Sequence, residues 1–153
     1  MMPFFLNTTE QYHKNDLDNL NWEATICNCM EPGDSPIRQI LTSDRSYGAH
    51  LADFLFDFIP EQSGLNVMEI GGGYGYLMRD LLRHSPDIRA TMVDISPAMI
   101  SRQRQTLSDD NVDWLESDFF TIDPGLIQTQ DLVIMNEIIG DFPTACHMTR
   151  NMV

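Results

Sequence analysis

The segment that most restricts what this chain can fold into is Glu69-Ile70-Gly71-Gly72-Gly73-Tyr74-Gly75. It follows an apolar run, Leu65 to Ile70, and leads directly into a helical pattern that begins at Tyr76. Glycine allows a tight turn with positive φ and lets a ligand lie against bare backbone. The first N–H groups of the helix behind it have no partners within the helix, and they mark its partly positive end. A strand, a glycine turn and a helix in that order, with an acid ahead of the glycines, are therefore expected to make a ligand site, the alternative being an ordinary tight turn between strand and helix. The spacing is E-x-G-x-G-x-G. A dinucleotide fingerprint, G-x-G-x-x-G counted from Gly71, would need glycine where Tyr76 stands. That departure argues against a dinucleotide or nucleotide-sugar enzyme.

The rest of the chain fits the same frame. Tyr76 to His84 reads as a helix with Leu77, Leu81 and Leu82 inward, and Ile88 to Ile95 as a second strand. Pro97 to Leu107 reads as a second helix with Ser96 as its cap. Val112 to Glu116 and Asp131 to Met135 complete four strands. They are near-continuous apolar runs, as expected of strands covered on both faces. Alternation of strand and helix predicts an α/β fold, a Rossmann-like parallel sheet with flanking helices and right-handed crossovers. Ahead of it, Ser46 to Ile59 reads as a helix with Leu51, Phe54, Leu55 and Phe58 as its inward stripe and Pro60 as its stop. Asp16 to Met30 has helical spacing, Glu31 to Asp34 is a breaker, and Ser35-Pro36 opens a short helix. Residues 1–45 are thus expected to form a helical N-terminal extension, and 46–153 the ligand-binding domain.

Charge narrows the partners. The formal net charge of -14 over 153 residues repels phosphate backbones, so nucleic acid is not an expected partner; a cationic substrate is more easily accepted, although such a charge more often serves solubility alone. Cys27, Cys29 and Cys146 are too few and wrongly spaced for a disulfide framework or a zinc site, so no metal is expected. No apolar run approaches a membrane span, and Met1 to Glu10 lacks a signal-peptide pattern. A cytoplasmic location is the resulting expectation.

Three acids lie where ligand contacts are expected. Asp94 ends the second strand, nineteen positions after Gly75, where a carboxylate can accept from both hydroxyls of a ribose. An acid beside a helix N-terminus also has a purely structural use there. Asp118 follows the third strand and suits an adenine amino group, with Phe119 beside the ring; its alternative is a solvated loop acid. Asn136 and Glu137 follow the fourth strand at the carboxyl edge of the sheet. Glu137 there can pair with a cationic acceptor or take its proton, and Asn136 can orient an acceptor atom; their alternative is structural hydrogen bonding of the loop.

Together these features resemble the class I S-adenosylmethionine (SAM)-dependent methyltransferases over residues 65 to about 143. The resemblance implies SAM as cofactor, with S-adenosylhomocysteine (SAH) as product. It implies Glu69, Gly71, Gly72, Gly73, Gly75, Asp94, Ile95, Asp118, Phe119 and Asn136 as cofactor-binding residues, and Asn136 with Glu137 as catalytic ones. Glu69 is expected near the methionyl end. More narrowly, Met68 to Arg83, Val93 to Pro97 with Gln103 and Leu107, and Asn136-Glu137 followed by Pro143 are similar to the MidA-type methyltransferases. That group is associated with arginine methylation during assembly of respiratory complex I. Gly140 stands where it has an aspartate, with Asp141 one place later. The family fold continues with three further strands, so the half that builds much of the acceptor site is expected to be missing. The fourth strand is then an edge, and a homodimer formed through it is expected. A non-catalytic module that binds SAM or a partner is the alternative to an enzyme.

Overall fold

A computed structural model describes residues 25–31, 40, 42–59, 63–107 and 111–142. Residues 1–24, the breaker at 32–34, the helix expected from Pro36, Pro60 and Pro143 lie outside the described residues. Of the helix expected over Asp16 to Met30, only its last turn falls among them.

The elements are α1 (Ile26–Met30), α2 (Tyr47–Phe58), β1 (Asn66–Ile70), α3 (Tyr76–His84), β2 (Arg89–Asp94), α4 (Pro97–Thr106), β3 (Val112–Glu116), α5 (Pro124–Gln128) and β4 (Leu132–Ile134). Single turns of tighter helix lie at Phe119–Thr121 and Ile139–Asp141. The sheet order is β3-β2-β1-β4, and every pairing is parallel. In register, Ile70 faces Val93, Glu69 faces Ile134 and Asp94 faces Glu116. The carboxyl ends of the strands, where open parallel sheets bind ligands, thus gather Ile70, Asp94, Glu116 and the residues after Ile134.

Local chemistry accounts for the element ends. Ser46 caps α2 by accepting from Ala49 N, and Ser96 caps α4 by accepting from Met99 N ahead of Pro97. Gly75 opens α3 at φ 80°, a left-handed conformation that favours glycine. Asp123 caps α5, a helix not expected from the sequence, by accepting from Gly125 N.

Side chains of β1 alternate between two cores. Val67 packs with Leu77, Met78 and Leu81 of α3 and with Ala52 and Phe56 of α2. Met68 and Ile70 pack on the other face with Val93, Ile122, Leu126 and Ile127. Cutting Leu81, fully buried, back to alanine would cost about 2–5 kcal/mol.

The inward stripe expected on α2 is corrected by the structure. Phe54 and Phe58 are exposed, at 60% and 71% of their surface, and their rings meet each other at 5.0 Å. The buried face is Gly48, Ala52 and Phe56, flanked by half-buried Leu51 and Leu55. The cause is close helix contact: a β-carbon on Gly48 would stand 2.9 Å from Asp80 Cβ and 3.1 Å from Leu77 Cα of α3. A polar clamp fixes the same face. Buried Ser46 Oγ donates to Asp80 Oδ2 at 2.6 Å, Arg79 pairs with Asp80, and Arg79 also holds Glu31 through two bonds of 2.7 and 2.8 Å.

β4 lies beside β1, as expected, and among the described residues no strand pairs with its other edge. Leu132 and Val133 are nevertheless half-buried, and the exposed large apolar side chains among the described residues are elsewhere, at Ile26, Ile40, Phe54, Phe58, Phe120 and Ile139. No helix among the described residues is long and apolar enough to cross a membrane.

Candidate functional site

A cavity opens at the carboxyl end of the sheet. Its walls include Glu69, Gly71, Gly72, Gly73, Asp94, Ile95, Asp118, Phe119, Asn136 and Glu137, every residue singled out from the sequence except Gly75. Gly75 sits behind the turn, where a β-carbon would meet Leu107 Cδ1 at 3.2 Å.

The turn is held by backbone. Gly71 N donates to Val93 O at 2.8 Å and Gly75 N to Gly72 O at 2.9 Å. Gly71, Gly73 and Gly75 all have positive φ. The surroundings of the glycines differ in kind. A β-carbon on Gly71 would strike Ile138, and one on Gly72 would press on the Glu69 carboxylate. One on Gly73 would meet nothing within 4 Å. Gly73 is therefore the glycine whose bare backbone faces open space.

Glu69 lies beneath this turn. It is 2% exposed, and its Oε2 has no hydrogen-bond partner. Burial pushes its carboxyl up to about 8 against a bond from the Met78 backbone N–H, and the Asp94 carboxylate pushes in the same direction as burial. Asp94 is 8% exposed. Its Oδ1 accepts from Ser96 N at 2.9 Å and its Oδ2 from Gln103 Nε2 at 3.0 Å. Burial raises it to about 6, and these bonds to its ionised form restrain the rise. The cap of α4 is Ser96 itself, so Asp94 does not serve as that helix's N-cap.

Asp118 accepts from Phe120 N at 3.0 Å, which caps the turn Phe119–Thr121. Phe119 lines the cavity and stacks on Phe142 with ring centres 5.5 Å apart and planes 6° apart.

Asn136 and Glu137 are bonded to the N-terminal elements. Tyr47 OH of α2 donates to Asn136 Oδ1 at 3.1 Å. The Asn136 amide donates toward Cys27 Sγ at 3.8 Å and Glu137 Oε2 at 3.5 Å, and that carboxylate also accepts from Ile26 N at 2.8 Å. Glu137 is the non-glycine residue of positive φ, 56°, among those described. Burial, with nearby carboxylates, pushes the Cys27 thiol up to about 12, so it is a packed thiol and not a nucleophile.

The cavity wall carries Glu69, Asp94, Asp118, Glu137 and Asp141, and no arginine, lysine or histidine among the described residues. Such a wall favours a cationic ligand and disfavours a diphosphate. Sequence reasoning named Gln103 only within the MidA-type similarity and gave it no role, and it missed Ile138, Thr25 and Phe142. Gln103 had a signal: it is a polar residue on the face of α4 that buries Met99 and Ile100. The others come from segments with no periodicity to read.

Comparison with known proteins gives a family and a fold. Residues 68–153 match the family model described as "Methyltransferase domain". The malonyl-[acyl-carrier protein] O-methyltransferase of Acetivibrio thermocellus is 36% identical over 88 residues, covering 56% of this chain and 30% of that protein. The sterigmatocystin 8-O-methyltransferase of Aspergillus flavus is 30% identical over 95 residues, covering 62% of this chain and 21% of that protein. The chain thus spans less than a third of the length of these relatives. Among solved structures, coclaurine N-methyltransferase bound to N-methylheliamine and SAH superposes with a TM-score of 0.52 at 18% identity, covering 83% of this chain and 34% of that one. Magnesium protoporphyrin IX methyltransferase from Synechocystis PCC 6803, with bound SAM, gives 0.51 at 19%, covering 63% and 45%. Both support the fold.

Proposed function

The chain belongs to the methyltransferase-domain family, within the class I SAM-dependent methyltransferases, and on that premise we propose that it binds SAM in this cavity and passes the methyl group to an acceptor. The observation that carries the reading is the pairing of an open Gly73 backbone with the buried Asp94 carboxylate in one acid-lined cavity. SAM fits that chemistry: it brings a sulfonium, an ammonium and a ribose diol to a wall of carboxylates. The unpartnered Glu69 Oε2 beneath the turn adds a buried polar atom near the expected methionyl end.

In this reading Gly71 to Gly73 cradle the methionyl part, Asp94 accepts from the ribose hydroxyls, and Ile95, Asp118 and Phe119 surround the adenine. When bound, SAM supplies the activated methyl group. The protein aligns a nucleophile with it and keeps water out. Asn136 orients the acceptor, and Glu137 pairs with it or takes its proton. Glu137 and Asp141 suit a neutral or cationic acceptor nitrogen, such as the arginine side chain that the MidA-type similarity implies. Catalysis as a whole, the acceptor and the division at residue 45 belong to this proposal, as does self-association through the β4 edge.

Calorimetry with SAM, SAH and NAD in parallel is the test. Binding of SAM and SAH without NAD is expected. Equal or tighter NAD binding, or no SAM binding, overturns the reading. SAM binding without turnover on any arginine-containing peptide or small amine would favour a non-catalytic module. Light scattering over a concentration series tests self-association, and a monomer throughout removes it.

A further inference from the structure

Gln103 has no exposed surface, yet it is polar and belongs to neither apolar core. Its single amide nitrogen donates to Asp94 Oδ2 at 3.0 Å and to Gly73 O at 3.2 Å. One acceptor lies at the end of β2 and the other in the glycine turn, and both residues line the cavity. Both are acceptors only, so the amide must present its nitrogen to them; the flipped amide would set oxygen against oxygen. Gln103 Oε1 is left buried without a partner. Buried polar atoms without partners are rare, and one that persists calls for an explanation. An apolar side chain of similar size would avoid the cost, so the explanation lies in what the nitrogen does.

The reach of Gln103 depends on Gly75. A β-carbon there would stand 3.2 Å from Leu107 Cδ1 and 3.6 Å from Gln103 Cα, so the glycine is what lets α4 lie against the turn. Asp94 is then gripped from two sides, with Oδ1 held by Ser96 N and Oδ2 by Gln103. A carboxylate has about four lone-pair positions, so both oxygens keep capacity for a diol. A neutral donor orients the carboxylate without cancelling its charge, as arginine or lysine would.

Resting on the SAM reading above, we infer that Gln103 is a positioning residue for the nucleoside: it ties the glycine turn to the ribose acid and sets the carboxylate of Asp94 for the two hydroxyls. It touches no ligand and acts through Asp94 and Gly73.

The test uses the whole chain with SAH and its 2′,3′-dideoxy analogue as probes. Gln103→Leu removes the donors at nearly the same volume, and Gln103→Met, unbranched and flexible, replaces it if the leucine variant does not fold. With the fold intact by circular dichroism, SAH binding should weaken roughly tenfold, the scale of a lost charge-assisted bond. The preference for SAH over the dideoxy analogue should shrink by a similar factor, a change that general loosening of the site would not produce. In an Asp94→Asn background, Gln103→Leu should cost less than threefold, because its target is already altered. SAH affinity within twofold of wild type, or equal losses for both probes with full additivity, overturns the positioning role and leaves the SAM reading in place. Wild-type protein that binds no SAH overturns both.

Discussion

The two walls of the cavity are built differently. On the glycine side, β1 is paired on both edges, every residue from Val67 to Ile70 is buried, and Gly71 N is fixed to Val93 O. On the β4 side the strand has three residues and, among the described residues, one partner, and the loop after it holds Glu137 at φ 56°. That loop is secured by side-chain bonds to Ile26 and Tyr47, about ninety residues or more away in sequence. The first wall is backbone geometry and exists wherever the sheet exists. The second is an agreement between distant side chains, which single substitutions can alter without unfolding the domain. Cofactor affinity should therefore depend on the first wall, and local stability and acceptor handling on the second.

The harshest test of the first wall is Gly73→Val. A branched residue at φ 53° is strained by about 1–3 kcal/mol, and its side chain would enter the open space proposed for the ligand. SAH binding should fall by more than about a hundredfold, the equivalent of roughly 3 kcal/mol, while circular dichroism still reports the fold. Unchanged affinity would remove the glycine turn from the site.

Next in size is Asp94→Ala. A charge-assisted contact to a diol contributes about 1.5–3 kcal/mol, so a loss of roughly tenfold or more is expected by calorimetry. A change under twofold would leave Asp94 a purely structural acid. The pH profile sharpens this. Burial has raised Asp94 to about 6, and the contact needs the ionised form. Wild-type affinity should fall as pH drops through 6, and the alanine variant should lack that step.

Glu69→Gln reads stability, with a smaller effect. The folded carboxyl titrates near 8 and the ordinary value is 4.5, so the folded state binds the proton more tightly than the unfolded one. Its contribution is complete below 4.5 and is lost as pH rises through 8. The variant has no such dependence. Its Tm should exceed that of wild type by a few degrees at pH 8.5, on the scale of about 3 °C per kcal/mol, and the gap should close toward pH 5. A constant gap would show that Glu69 stays ionised in the fold.

The smallest effects belong to the second wall. Glu137→Ala loses the bond from Ile26 N but keeps the left-handed backbone, and should cost about 1 kcal/mol in thermal unfolding. Glu137→Gly loses the same bond but relieves about 1 kcal/mol of backbone strain, so its net effect should be near zero. Both should bind SAH within threefold of wild type. A tenfold loss in either would mean that the second wall holds the cofactor too, and the contrast would fail.

What could be read from the sequence follows the same division. The four strands and the helices at Tyr76 and Pro97 came out within a residue or two of their observed ends, because apolar runs bounded by glycine, serine and proline are local signals. The glycine turn, Asp94, Asp118 and the Asn136-Glu137 pair were legible for the same reason: each sits just past a strand, where parallel sheets collect their ligand contacts. The face of α2 was not legible. Four apolar residues at helical spacing predicted one stripe, and Gly48 against Asp80 and Leu77 selected another.

The sequence by itself determined the parallel α/β order and the positions of many of the residues that ring the cavity. Periodicity and turn chemistry act over a few residues and need no partner. Only the tertiary structure decided that Gly73, rather than Gly71 or Gly72, faces open space, that Gln103 bridges the glycine turn and Asp94, and that α1 and α2 hold the loop after β4. Each of these depends on how closely two distant segments approach. That distance is set by side-chain volume and by the few hydrogen bonds that survive burial, and neither leaves a pattern along the chain.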